Sequence, residues 1–148
     1  MNSQPNAPNS QPNAPGPIRL LLVEDHAQVA MALVAAFETV EDIDLVGTAG
    51  TIAEAVSLAA ELGPDLVLLD RRLPDGDGVD AIAPLREHHP SGRVLIFTGE
   101  ADRAIADRVR AAGGDGLVLK AGRLDNLLST IHRVAAGEQS FDVGLLEQ

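Results

Sequence analysis

The chain has 148 residues, enough for a single domain, and 45% of them are hydrophobic, enough to build a buried core. Acidic residues (22) outnumber basic residues (11), so the net charge of -11 disfavours direct binding to nucleic acid or anionic membranes. The absence of cysteine excludes disulfides and thiolate metal sites. Because the sequence shows neither a signal peptide nor an apolar run of roughly 18 residues, we expect a cytoplasmic protein.

The N-terminal segment is an Asn/Gln/Pro-rich tandem repeat, in which NSQPNAP at residues 2–8 recurs at residues 9–15. Neither copy contains a charge or a large apolar residue. Such a composition buries too little surface to offset its ordering entropy, so we expect a disordered tail over residues 1–17. The folded domain is then expected over residues 18–137, and residues 138–148 are expected to start a linker.

Five short apolar runs, each followed by a helical pattern, predict the fold. The runs are nearly continuous, as in parallel strands that are covered on both faces. A capping box of Thr51 and Glu54 marks the start of the second helix. The predicted strands are residues 18–23, 45–49, 66–69, 94–97 and 117–119, and the predicted helices are residues 27–37, 55–62, 79–88, 104–112 and 124–136. This (βα)5 order predicts an α/β fold with a doubly wound, five-stranded parallel sheet.

Polar side chains follow four of the five predicted strands. Glu24 and Asp25 follow the first strand, Asp70 the third, Thr98 the fourth and Lys120 the fifth. In doubly wound sheets, ligands bind at the carboxyl ends of the strands. The sequence therefore predicts a site that these five residues share.

The charges of these residues indicate the chemistry of the site. Three carboxylates that converge repel one another unless a cation intervenes. Oxygen ligands suit a hard divalent ion, and sparse carboxylates suit Mg²⁺ better than Ca²⁺. Lys120, the only lysine in the chain, adds a compact positive charge. An aspartate beside Mg²⁺ can form an aspartyl-phosphate, so the site is suited to phosphoryl transfer.

Four segments carry a resemblance to a known family. LLVEDH (21–26), LVLLDRRLPDGDG (66–78), VLIFTGE (94–100) and GLVLKAG (116–122) resemble the receiver domain of bacterial two-component response regulators. The acid pair followed by His26, with RVAAGE at 133–138, is similar to the LuxR/NarL-type branch. The resemblance implies the flavodoxin-like receiver fold. It also implies a cytoplasmic signalling switch that regulates transcription.

The resemblance also implies roles for individual residues. Asp70 would accept a phosphoryl group from a sensor histidine kinase, Thr98 would hydrogen-bond the phosphoryl oxygens, and Lys120 would pair with them. The implied Mg²⁺ ligands are Glu24, Asp25, Asp70 and the backbone carbonyl of Arg72. The chain would catalyse at most its own phosphorylation and dephosphorylation, and would not be an enzyme in the ordinary sense. A homodimer is compatible with this branch, and DNA would be bound only through an effector domain outside these 148 residues.

Leu117 departs from the family pattern, because an aromatic residue that moves together with Thr98 usually stands there. This departure leaves open a second hypothesis, a non-switching interaction module with the same fold. A third hypothesis, a hydrolase with an aspartate nucleophile, is disfavoured because Arg72 stands where haloacid-dehalogenase-type enzymes place a second aspartate.

Several other polar residues receive simpler interpretations. We expect Arg71 and Arg72 to be exposed loop residues that offset local acidity. The DGDG run at 75–78 is interpreted as a turn that opens the third helix, because it lacks the distal glutamate of a Ca²⁺ loop. His26 and His132 are expected at the surface.

Overall fold

The computed structural model of the protein describes residues 16–143. Its strands are, in chain order, β1 (Ile18–Val23), β2 (Ile43–Ala49), β3 (Leu66–Asp70), β4 (Arg72–Leu73), β5 (Gly76–Asp77), β6 (Arg93–Thr98), β7 (Gly116–Leu119) and β8 (Ser140–Phe141). Six of them form one sheet in the order β2-β1-β3-β6-β7-β8, and every pair in it is parallel. The other two, β4 and β5, form a short antiparallel hairpin.

The helices alternate with the main strands, which confirms the predicted (βα)5 order. They are α1 (Ala27–Glu38), α2 (Ile52–Leu62), α3 (Gly78–His88), α4 (Arg103–Ala112) and α5 (Leu124–Ala135). The predicted cap of α2 is present, because the Thr51 side chain accepts a hydrogen bond from the Glu54 amide. Gly63 ends this helix in the left-handed conformation, at φ 57°. Within residues 16–143, no helix is long and apolar enough to cross a membrane.

Both faces of the sheet are covered, which explains the continuous apolar strands. Alternate residues of β1 point to opposite faces: Leu20 and Leu22 pack in a cluster with residues of α1 and α5. Leu21 and Val23 pack in a second cluster with residues of α2, α3 and α4. All five residues of β3, in the middle of the sheet, are buried. This burial holds the carboxyl end of β3 in a fixed position.

The loop after β3 confirms the predicted turn and has a second role. Asp77 accepts a hydrogen bond from the Val79 amide and caps α3. Asp75 accepts hydrogen bonds from the amides of Ile52 and Ala53, at 2.8 and 3.1 Å, and so caps α2 from a distant part of the chain. The DGDG run therefore links the N-termini of two helices.

The sheet differs from the prediction at its edge, where β8 adds a sixth strand within residues expected to start a linker. Two residues are too short for hydrophobic periodicity to reveal, and pairing with β7 determines their conformation. The predicted tail lies outside the described residues except for Gly16 and Pro17, and so does the end of the predicted linker at 144–148.

Candidate functional site

The structure brings the five predicted site residues to the same edge of the sheet. Asp70 and Thr98 are the last residues of the adjacent strands β3 and β6, Lys120 follows β7, and Glu24 and Asp25 follow β1. Three of the five, Asp70, Thr98 and Lys120, line an open cleft of about 360 Å³. The other residues that line this cleft are His26, Arg72, Gly99 and Glu100.

Lys120 bridges the two buried carboxylates of the site. Its Nζ lies 2.9 Å from Glu24 Oε1 and 3.1 Å from Asp70 Oδ2. The carboxyl side chains are 0% and 3% exposed, so these ion pairs are poorly screened by solvent. The backbone amide of Lys120 also donates to the carbonyl of Thr98 at 2.7 Å, which ties the end of β7 to the end of β6.

The shared lysine leaves the two carboxyl groups unequal. Burial raises the pKa of Asp70, the Glu24 carboxylate raises it further, and Lys120 offsets this only in part. Burial also acts to raise the pKa of Glu24, but hydrogen bonds from Lys120 and His26 outweigh it and lower that pKa. Burial acts to lower the pKa of Lys120, yet its two carboxylate partners raise it overall. The same surroundings therefore shift the pKa of Asp70 upward and the pKa of Glu24 downward.

The acidic groups fit a hard divalent cation. Glu24, Asp25, His26 and Asp70 each offer one ligand atom, and these atoms lie within 4.8 Å of one another. Glu24 Oε1 and Asp70 Oδ2 are buried and, within the described residues, have no hydrogen-bond partner of good geometry beyond the ion pair with Lys120. Three carboxylates against one lysine leave excess negative charge, and their oxygen atoms are donors that Mg²⁺ accepts.

His26 lies at the surface, as expected, and it also contacts the acidic cluster. Its side chain is 66% exposed, but Nδ1 lies 3.1 Å from Glu24 Oε2 and 3.4 Å from Asp25 Oδ1. The His26 amide also donates to Glu24 Oε2. Its position directly after the acid pair was the available sequence signal.

The structure contradicts the expectation that Arg71 is an exposed loop residue. Its side chain is only 16% exposed, and its Nε lies 3.6 Å from Asp77 Oδ2. The chain turns under α3 at this point, because the amide of Gly78 donates to the carbonyl of Arg71. A Cβ at Gly78 would overlap the backbone oxygen of Asp70, so glycine is required for this close approach. Arg72 is 75% exposed, as expected, and pairs with Glu100 at 3.2 Å beside the cleft.

Thr98 and Leu117, the predicted switch residues, occupy different environments. Thr98 is buried, lines the cleft, and accepts a hydrogen bond from the Glu100 amide at 3.3 Å. Leu117 is fully buried in the apolar cluster beneath α2, α3 and α4. It pairs with Ile96 of β6 on one side and Phe141 of β8 on the other. The structure does not place Leu117 in the cleft lining described above.

Comparison with known proteins gives the family. The family model of the response regulator receiver domain matches residues 20–132 of this chain. The chain is 33% identical over 129 residues to the nitrate/nitrite response regulator protein NarL of Escherichia coli K12, which covers 87% of this chain and 60% of NarL. It is 31% identical over 129 residues to the response regulator protein VraR of Staphylococcus aureus Mu3, covering 87% of this chain and 62% of VraR. The chain therefore spans about 60% of the length of these curated relatives.

Solved structures agree with this relationship. A LuxR-family two-component response regulator from Aurantimonas has a TM-score of 0.80 and 30% identity, covering 84% of this chain and 89% of that chain. The signal receiver domain of the putative response regulator NarL from Mycobacterium tuberculosis has a TM-score of 0.79 and 27% identity, covering 84% and 100%. The chain belongs to the receiver domains of two-component response regulators, in the LuxR/NarL branch.

Proposed function

We propose that this chain is a phosphorylation-controlled switch in which Asp70 accepts a phosphoryl group from a sensor histidine kinase. The observation that carries the proposal is the Lys120 bridge between Glu24 and Asp70 at the mouth of an acidic cleft. Asp70 is the candidate acceptor because it is a buried carboxylate that lines the cleft, whereas Glu24 does not line it. A cation within 3.1 Å can offset the charge that a phosphoryl group brings.

In this mechanism, an Asp70 oxygen attacks the phosphorus atom of phosphohistidine. The new O–P bond forms as the P–N bond breaks, and the kinase imidazole retains the released electron pair and takes up a proton. Glu24, Asp25, Asp70 and the backbone carbonyl of Arg72 would hold Mg²⁺, which supplies positive charge for the phosphoryl oxygens. Lys120 pairs with the same oxygens, and Thr98 donates its hydroxyl hydrogen to them.

The proposed switch follows because the phosphoryl oxygens compete for Lys120 and Thr98 with the present partners of these two side chains. Before phosphorylation Lys120 is shared with Glu24, and the Thr98 hydroxyl oxygen accepts from the Glu100 amide. The added charge and acceptor oxygens attract both side chains towards Asp70 and shift the equilibrium between conformations of this edge. The intact set of acid pair, acceptor, threonine and lysine argues against a non-switching module, in whose favour Leu117 is the one sequence feature.

The output is proposed to lie outside the described residues. The curated relatives extend well beyond the aligned region, so residues 18–137 would be the receiver and residues from 138 onward would lead towards an effector domain that binds DNA. The net charge of -11 supports this division, because these 148 residues are poorly suited to contact phosphate backbones themselves. In this arrangement the chain acts in the cytoplasm, where its kinase and DNA are found.

The test is intact-mass measurement after incubation with acetyl phosphate and Mg²⁺. The wild-type chain should gain one hydrolytically labile phosphoryl group, and chelation of the metal by EDTA should prevent the gain. Asp70→Asn should remain unlabelled, whereas the matched variant Asp80→Asn, on the exposed surface of α3, should be labelled like wild type. Stoichiometric labelling of Asp70→Asn would show that another residue is the acceptor.

A further inference from the structure

The edge of the sheet next to Lys120 is closed by the chain's own C-terminal segment. In β8, Ser140 pairs with Gly116 and Phe141 pairs with Leu117 of β7. The Ser140 amide donates to the Asp115 carbonyl at 3.2 Å, and the Asp142 amide donates to the Leu117 carbonyl at 2.9 Å. Without these contacts the edge of β7 would present unpaired backbone groups.

The side chains around β8 are arranged to receive it. The Arg110 guanidinium of α4 lies 4.1 Å from the centre of the Phe141 ring, a cation–π contact. Arg133 of α5 donates to the Ser140 hydroxyl at 3.0 Å. A Cβ at Gly116 would lie 2.7 Å from the Ser140 carbonyl oxygen, so the absence of a side chain there permits the close approach. The segment thus contacts α4, β7 and α5 at once.

Phe141 also contacts the position at which this chain departs from its family. Leu117 is aliphatic and fully buried, and Phe141 is its direct partner on the neighbouring strand. Phe141 and Val143 pack against the apolar cluster that contains Leu117. Strand β8 therefore supplies an aromatic ring that packs against the cluster containing Leu117.

A short path through the chain, an ion pair and a hydrogen bond joins this contact to the proposed acceptor. Lys120 directly follows β7, its ammonium group pairs with Asp70, and its amide is bonded to Thr98 at the end of β6. A phosphoryl group that recruits Lys120 and Thr98 pulls on the end of a strand of four residues. Because β8 pairs with that strand over two residues only, a displacement of β7 breaks the backbone part of the attachment of β8.

We propose that residues 138–143 form a strap that docks on β7 in the unphosphorylated chain and detaches when Asp70 is phosphorylated. Detachment uncovers the β7 edge and the surface between α4 and α5, and it frees Phe141 and the segment after it. The inference rests on the proposed phosphorylation of Asp70 and extends it by naming the element that carries the signal out of the receiver.

The chain contains neither Trp nor Tyr, so Phe141→Trp introduces the only indole fluorophore. Phosphorylation with acetyl phosphate and Mg²⁺ should shift its emission to the red, as the indole moves from α4 into water. The shift should be absent from Phe141→Trp/Asp70→Asn. It should also be absent from Phe37→Trp, in which the same substitution is made at a buried position of α1, a helix that contacts β2 at the opposite edge of the sheet from β8.

Hydrogen exchange of the wild-type chain provides a second measurement that does not depend on the tryptophan variant. The amides of Ser140 and Asp142 should exchange at least about ten-fold faster after phosphorylation, because their bonds to β7 are lost. Full phosphate incorporation with unchanged emission and unchanged exchange would overturn the strap and leave the proposed function intact. A lack of phosphate incorporation with the metal present would instead overturn the proposed function on which the strap rests.

Discussion

Replacement of Lys120 by methionine tests the electrostatic design of the site. The substitution keeps much of the side-chain volume but removes the charge that lies 2.9 Å from Glu24 and 3.1 Å from Asp70. At an effective dielectric constant of about 20, each contact is worth roughly 5 kcal/mol before desolvation is counted. Desolvation of the three ions cancels much of this, and removing one partner of a buried pair costs about 3–5 kcal/mol. We expect Lys120→Met to lose about this much stability at pH 7.

The stability loss of Lys120→Met should depend on pH. Without Lys120, burial and mutual repulsion raise the folded-state pKa of the two carboxyl groups above their unfolded values. The penalty is then complete above the folded-state pKa values and disappears as the pH falls below the unfolded values of about 4. Lys120→Met should therefore approach wild-type stability on acidification. Mg²⁺ should restore part of the loss at pH 7, because the cation binds the folded state.

The measurement is urea unfolding followed by far-UV circular dichroism, between pH 7 and pH 4, with EDTA or with Mg²⁺. Lys120→Arg, which retains the positive charge, is the matched control and should lose much less stability. If Lys120→Met were as stable as wild type at pH 7 in EDTA, the bridge would carry little energy and the reasoning would be wrong.

Three further predictions concern neighbouring parts of the structure. Arg86→Met should destabilise the fold by about 3 kcal/mol in urea unfolding. Arg86 pairs with the buried Asp115 at 2.5 Å and donates to the carbonyls of Gly92 and Gly113. A loss of stability below about 1 kcal/mol would contradict this role. Asp70→Asn should stabilise the fold at pH 7, because burial raises the pKa of Asp70 and its ionisation therefore opposes folding. This gain in stability should vanish as the pH falls below about 4, where the carboxyl group is protonated in both states. A difference in stability that does not depend on pH would refute the raised pKa of Asp70. Glu100→Gln should change stability by less than about 1 kcal/mol, since the ion pair of Glu100 with Arg72 is exposed. The substitution should nevertheless accelerate labelling by acetyl phosphate, because it removes a negative charge from the lining of the cleft. An unchanged or slower labelling rate in intact-mass time courses would contradict this prediction.

Local sequence patterns predicted most of the fold. Continuous apolar runs identified the strands that are covered on both faces, and the Thr51 cap marked the start of α2. The placement of charged residues just after these runs also predicted the site, because the carboxyl ends of parallel strands meet at the same edge. These features depend on short-range periodicity and on a general rule of sheet topology.

Other features depended on contacts between residues distant in sequence. The sequence predicted that Lys120 and the acidic residues would share one edge, but only the packed sheet places its ammonium group between Glu24 and Asp70 and makes these two carboxyl groups unequal. The burial of Arg71 arises from the approach of α3 to the end of β3.

Strand β8 also could not be predicted from local sequence patterns, because two residues carry no readable periodicity. Its position depends on contacts with Gly116 and Arg110, which are distant in the sequence. The sequence by itself thus determined which segments are strands and helices and which residues meet at the carboxyl edge, since both follow from local patterns of apolar and polar residues. Only the tertiary structure decided which charges share a partner and what covers the last strand of the sheet, because those outcomes depend on distances between segments far apart in the chain.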